Sequence, residues 1–151
     1  MLTIETDRRA YPAGCEINAI VSLRRDKPVK ARGLFVRLTC TERRQVKNSV
    51  VLDRYDYDRD KEIGMPYSSH METRVSEHTK KLFEQEIKVC GEEEFLEGKY
   101  SVLFILPKNA KPTSREFGHD DRIHVWRISA KLDIPFAIDE NAEEEIVVAG
   151  L

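Results

Sequence analysis

At 151 residues the chain suits one domain that can bury most of a sheet face, and it is too short for two domains in tandem. Hydrophobic residues make up 40% and charged residues 34%, so the composition is that of a globular protein with a heavily charged surface. No apolar run approaches the roughly 20 residues that a membrane span needs, and the N-terminus carries no signal-peptide core, so neither a spanning helix nor a secretory leader is expected.

Cys15, Cys40 and Cys90 are odd in number and far apart. They argue against a disulfide framework and fit reduced thiols in a cytoplasmic, soluble protein. Asn and Gln are scarce beside Lys, Arg, Asp and Glu, a pattern expected of a thermophilic source. The net charge of −2 is unevenly spread. Residues 1–50 hold 11 basic against 5 acidic groups, +6, and residues 51–151 hold 14 against 22, −8. Such a map favours charged partners or pairing between neighbouring strands.

Along the chain the dominant period is 2. In Cys15–Leu23, the residues Cys15, Ile17, Ala19, Val21 and Leu23 alternate with Glu16, Asn18 and Ser22. In Gly33–Arg43, Leu34, Val36, Leu38 and Cys40 alternate with Arg37, Thr39 and Thr41. Both segments predict strands with one face on a core. Met65–Lys81 admits a helical turn or the start of a strand. Leu82–Cys90 sets Phe83, Ile87 and Val89 against Glu84, Glu86 and Lys88. Tyr100–Leu106 is almost wholly apolar, which predicts a central strand covered on both sides. Then His124–Ile134 places Trp126, Ile128, Ala130, Leu132 and Ile134 on one face. Glu143–Glu145 reads as a solvated loop before a short last strand, Ile146–Ala149.

Turn signals separate these runs, at Tyr11–Gly14, Asp26–Pro28, Glu97–Lys99 and Asp139–Asn141. Gly14 and Gly98 are expected to supply a positive φ there. The loop Pro107–Asp121 is long, and such loops are either functional or crossovers between sheets. With no long helical pattern competing, the fold class is all-β: a two-sheet antiparallel, immunoglobulin-like sandwich over residues 1–151.

The chemical motifs are mostly negative. Asp56, Asp58 and Asp60 imitate a calcium loop, but Lys61 replaces its turn glycine and Tyr67 its closing glutamate. His119, Asp121 and His124 are the weak candidates for a metal site and, with it, metal-dependent hydrolysis. No nucleophile elbow and no glycine-rich phosphate loop is present, so neither an enzyme nor a cofactor is expected. Arg8, Arg9, Arg24, Arg25, Lys27, Lys30 and Arg32 cluster near the first two turns. If those turns meet at one end of the sandwich, they form an anion-attracting patch. A phosphorylated or acidic protein segment or an anionic membrane surface would suit it. Nucleic acid is disfavoured by the pI of 6.1 and the lack of interleaved aromatics.

Three segments carry a resemblance. Tyr11-Pro-Ala-Gly-Cys-Glu-Ile-Asn-Ala-Ile-Val-Ser-Leu looks like the "Y-x-P-G-E-x-I-x-G-x-V" segment of arrestin-domain and Spo0M-type proteins. Leu96-Glu-Gly-Lys-Tyr-Ser-Val-Leu-Phe-Ile-Leu-Pro is similar to the family's "L-x-x-G-x-Y-x-F-P-F-x-F-x-L-P" strand. Ile123-His-Val-Trp-Arg-Ile-Ser-Ala-Lys-Leu-Asp-Ile-Pro follows "I-x-Y-x-V-x-A-x-L-D-x-P". In this order they span nearly the whole chain, which thus resembles an arrestin-like N-terminal sandwich.

The resemblance implies a non-enzymatic adaptor or scaffold domain that binds a protein partner through loops or a strand edge. Its alternative is a Spo0M-like regulator acting by self-assembly, with a homodimer covering the face that a second sandwich would otherwise meet. The paired-lysine phosphate sensor of receptor-binding arrestins lies upstream of the segment resembled by Leu2–Glu5. A phosphoreceptor role therefore does not carry over.

Overall fold

Period-2 alternation gives each strand one apolar face, and two such faces must meet to leave water. A computed structural model describes residues 1–54, 68–114, 117 and 121–150, with strand side chains outside 48–54 and 68–73. One sheet has three strands in the order β1 (Leu2–Thr6), β3 (Glu16–Ala31), β6 (Glu93–Ile105). The other has five, in the order β2 (Ala10–Pro12), β8 (Glu140–Ala149), β7 (Arg122–Asp133), β4 (Gly33–Arg54), β5 (Ser68–Cys90). All pairings are antiparallel except β2 with β8. The fold is the expected all-β sandwich.

The core lies between the sheets. Ile17, Val21, Leu34, Val36, Leu38, Phe104, Trp126, Ile128 and Leu132 are buried there, on the faces that the alternation assigns. Each buries about 1.5–3 kcal/mol of transfer free energy. Register sets large against small: Val36 pairs with Ala130 and Cys40 with Trp126. Tyr11 closes one rim of the core, donating its hydroxyl to Asp7 Oδ1 at 2.5 Å. Asp7 also accepts from the Asn18 backbone amide at 3.2 Å, so the crossover from β1 to β2 is locked.

Several sequence expectations need correction. β6 is an edge strand, and Leu103 and Ile105 are 47% and 58% exposed on its outer face. An apolar run signals burial on both faces only when the sheet has a second covering layer, and among the described residues it has none. Glu143–Glu145 belong to β8, paired with Ser129, Ile128 and Arg127. Asp26-Lys27-Pro28 is no turn between strands but an insertion within β3. Arg24 pairs with Glu97 and Val29 with Phe95, so five steps along β3 answer two along β6. Of the two readings of Met65–Lys81, the strand is the one found over residues 68–81, which belong to β5, while 65–67 lie outside the described residues.

Of the two turn glycines, only Gly14 has a positive φ, 80°. Gly98 lies within β6, where an added Cβ would stand 2.8 Å from the Tyr100 hydroxyl.

The loop after β6 runs as a crossover held down at several points. Lys111 O accepts from Trp126 Nε1 at 2.8 Å, and Thr113 N donates to Val148 O at 2.9 Å. Val148 N returns a bond to Thr113 Oγ1 at 2.8 Å, and Ser114 bridges to His124. Beyond Arg44, where β4 leaves β7, the β4–β5 ladder continues alone to the pair Arg54 and Ser68.

Candidate functional site

The antiparallel register of β1 on β3 decides where the seven basic residues go. Leu2 faces Leu23 and Thr6 faces Ala19. The turn carrying Arg8 and Arg9 therefore lies at one end of the sandwich, and the β3 insertion carrying Arg25 and Lys27 at the other. The first pair lines a cleft with Glu144 and Glu145. Lys30 sits opposite Glu94, and the Arg32 amide donates to Asp133 O at 2.8 Å. The expected single patch is thus divided, with Arg24, Arg25, Lys27, Lys30 and Arg32 at one end and Arg8 and Arg9 at the other.

Arg24, Arg25 and Lys27 line a groove of about 860 Å³ together with Lys99, Thr3 and Ser22. Asp26 and Glu97 are its acids, so the groove is lined by four basic side chains and the Met1 amino group against two acidic side chains. The β3 insertion forms one wall and the backbone at Gly98 part of the other. Arg25 is fixed at the root: Nη1 meets Glu140 Oε2 at 2.5 Å, while its Nε, shielded from water, has no hydrogen-bond partner. Burial pushes the Glu140 carboxyl up, but hydrogen bonds from the Met1 amino group and Arg25 outweigh it and hold the group below its ordinary range.

Sequence reasoning missed the loop that follows β7. Ile134, Pro135, Phe136, Ala137 and Ile138 are all apolar, yet Phe136 and Ile138 are 104% and 93% exposed. Phe136 has a φ of 60°, a left-handed conformation that costs a non-glycine residue free energy. The loop root is braced. Asp139 Oδ1 accepts the Ile134 amide at 3.0 Å, and Lys131 Nζ lies 3.3 Å from Asp139 Oδ2. The bond from Ile134 N holds the Asp139 carboxyl below its usual range. The available signal was an apolar run standing where a turn should be polar.

His124 is buried against Glu42, with Nε2 3.1 Å from Oε2, and Arg122 Nε lies 3.9 Å from Oε1. The bond to His124 holds the Glu42 carboxyl below its ordinary range. Asp121 is exposed and its carbonyl accepts from Gln45 N at 2.8 Å. His119 lies outside the described residues, as do Asp56, Asp58, Asp60, Lys61 and Tyr67 of the calcium-like run. Among the described residues, no three His, Cys, Asp or Glu side chains form a metal-binding group. Burial pushes the Cys40 thiol up to about 11, which keeps it protonated and a poor nucleophile.

Neither a family model nor a curated protein matches this sequence. A solved structure does: Spo0M, the sporulation control protein from Bacillus subtilis, at 18% identity with a TM-score of 0.52. The chain shares its fold with Spo0M. The match covers 99% of this chain and 49% of Spo0M, so the chain spans about half the length of that structure. At this identity the likeness carries the arrestin-like fold alone, and no helix among the described residues is long and apolar enough to cross a membrane.

Proposed function

We propose that this sandwich is a non-enzymatic adaptor or regulatory domain whose groove at the β3 insertion takes an acidic or phosphorylated protein segment. The observation that carries this reading is the convergence of Arg24, Arg25, Lys27 and Lys99 on one open groove with the hydroxyls of Thr3 and Ser22. Cations and hydroxyls lining one groove suit an oxyanion, and charge-assisted bonds of this kind are the stronger class. A cytoplasmic setting fits the three free cysteines. Fluorescence anisotropy with a labelled acidic phosphoserine peptide tests it. Arg24→Ala with Lys27→Ala should weaken binding about tenfold and flatten its salt dependence. Equal affinity for wild type and variant would remove the groove from consideration.

A second reading, self-assembly, has its own observation. Ile20, Leu103 and Ile105 are exposed on the outer face of β3 and β6, next to the unpaired edge of β6. Two copies joined across this face would bury it symmetrically and pair the open edge. Light scattering at tens of micromolar decides, since a strict monomer rules the dimer out.

A further inference from the structure

We infer that the loop Ile134–Asp139 is a membrane-seating element that places Phe136 and Ile138 in the interface of an anionic bilayer. The two side chains project from one loop and are fully exposed, while the loop root is fixed by the Asp139 bonds to Ile134 and Lys131. An apolar tip with no cost of ordering is pre-organised for transfer out of water. It is convex, so it needs either a fitted cavity or a fluid medium, and a bilayer supplies the second without shape matching.

Charge favours the bilayer. Glu140, directly after the loop, is bound to Arg25 at 2.5 Å, which ties the tip to the basic groove. The Arg32 amide donates to Asp133 at the other loop root. Of the acids at the loop root, Asp139 and Glu140 are engaged in ion pairs, which among the described residues leaves Asp133 as the one whose carboxylate is not. Arg24 and Lys27 line the groove to which the Arg25–Glu140 pair ties the loop, and basic residues near an apolar tip draw a protein to anionic lipid while the apolar residues enter the acyl boundary. The last described residues, Ala149 and Gly150, are at the opposite end of the sandwich, by the antiparallel pairing of β7 and β8. The tip therefore stays exposed to a surface without displacing β8.

The insertion itself rests on Phe136 and Ile138, which do not line the groove, while the preference for anionic lipid draws on the groove's basic residues. The test is cosedimentation with vesicles of phosphatidylcholine containing roughly one third phosphatidylglycerol. Wild type should pellet with these vesicles and, at equal lipid, at least tenfold less with phosphatidylcholine alone. Phe136→Ser with Ile138→Ser should cut the bound fraction at least tenfold, yet leave binding of the phosphoserine peptide unchanged.

Phe136→Gly separates a seating role from a structural one. Glycine accepts a φ of 60° without strain, so the variant should melt no lower than wild type while still losing vesicle binding. Phe136→Trp should give a blue-shifted emission on adding the anionic vesicles. The inference is overturned by absent cosedimentation, by binding unaffected in the double-serine variant, or by an unshifted tryptophan. Peptide binding without vesicle binding overturns it as well and leaves the groove reading standing.

Discussion

Two loops of this sandwich are both tied down by hydrogen bonds, and they treat apolar side chains in opposite ways. In residues 107–114, Lys111 O and the reciprocal bonds of Thr113 and Val148 hold the chain over the rim, where Trp126 is buried. In residues 134–139, a comparable set of bonds centred on Asp139 lifts Phe136 and Ile138 into solvent. A braced loop is thus not in itself a cover for the core. What differs is where the bonds are anchored: the first loop bonds to neighbouring strands β7 and β8, the second mainly to its own root.

The largest effect is expected at the covering loop. Trp126→Ala removes the largest side chain of the core and the partner of Lys111 O, and should cost about 3–5 kcal/mol in urea denaturation. A cost near zero would mean that the 107–114 segment does not depend on the core beneath it.

Acid should weaken both ends together. Glu42 at the covering end and Asp139 and Glu140 at the presenting end all have carboxyls held below their ordinary values. Because the folded values are depressed, the unfolded chain takes up protons first as pH falls. The stabilisation is therefore complete above the unfolded values and lost as pH drops through the folded ones, beginning below about 4.5 for the glutamates. Melting temperature against pH should fall in that window, and Glu42→Gln should make the fall shallower. An unchanged slope would show that the Glu42–His124 pair contributes nothing to the linkage.

The smallest effect belongs to the presenting loop. Asp139→Ala should change the melting temperature little, since the group is at the surface, but it frees the Ile134 amide. Hydrogen exchange there should quicken by about tenfold or more, reporting local opening alone. Global destabilisation instead would mean that the loop is part of the cooperative core.

Much of the fold was legible in the sequence because a face in contact with a core repeats every second residue. β3, β4 and β7 follow that rule, and Leu34, Val36, Leu38, Trp126, Ile128 and Leu132 are buried as read. The rule fails where burial depends on how many layers a sheet has. Leu103 and Ile105 are apolar and look outward, and no local pattern distinguishes them from Val102 and Phe104. Of the site, residue types were legible and their grouping was not. Arg8 and Arg24 lie close in number, but the pairing of Leu2 with Leu23 sends them to opposite ends. Glu42 occupies an inward register, and its partner His124 is more than eighty residues away, visible only once β4 and β7 are paired. Phe136 escaped because Ile134-Pro135 continues the apolar pattern of β7 past its end.

The parallel pairing of β2 with β8 carries a mechanical consequence. Ala10, Tyr11 and Pro12 run alongside Val147, Val148 and Ala149 in the same direction. Tension pulling β2 and β8 along their lengths in opposite directions cannot peel the bonds open singly. It must slide one strand past the other and load them at once, with the buried Tyr11 as the bolt that has to be drawn first.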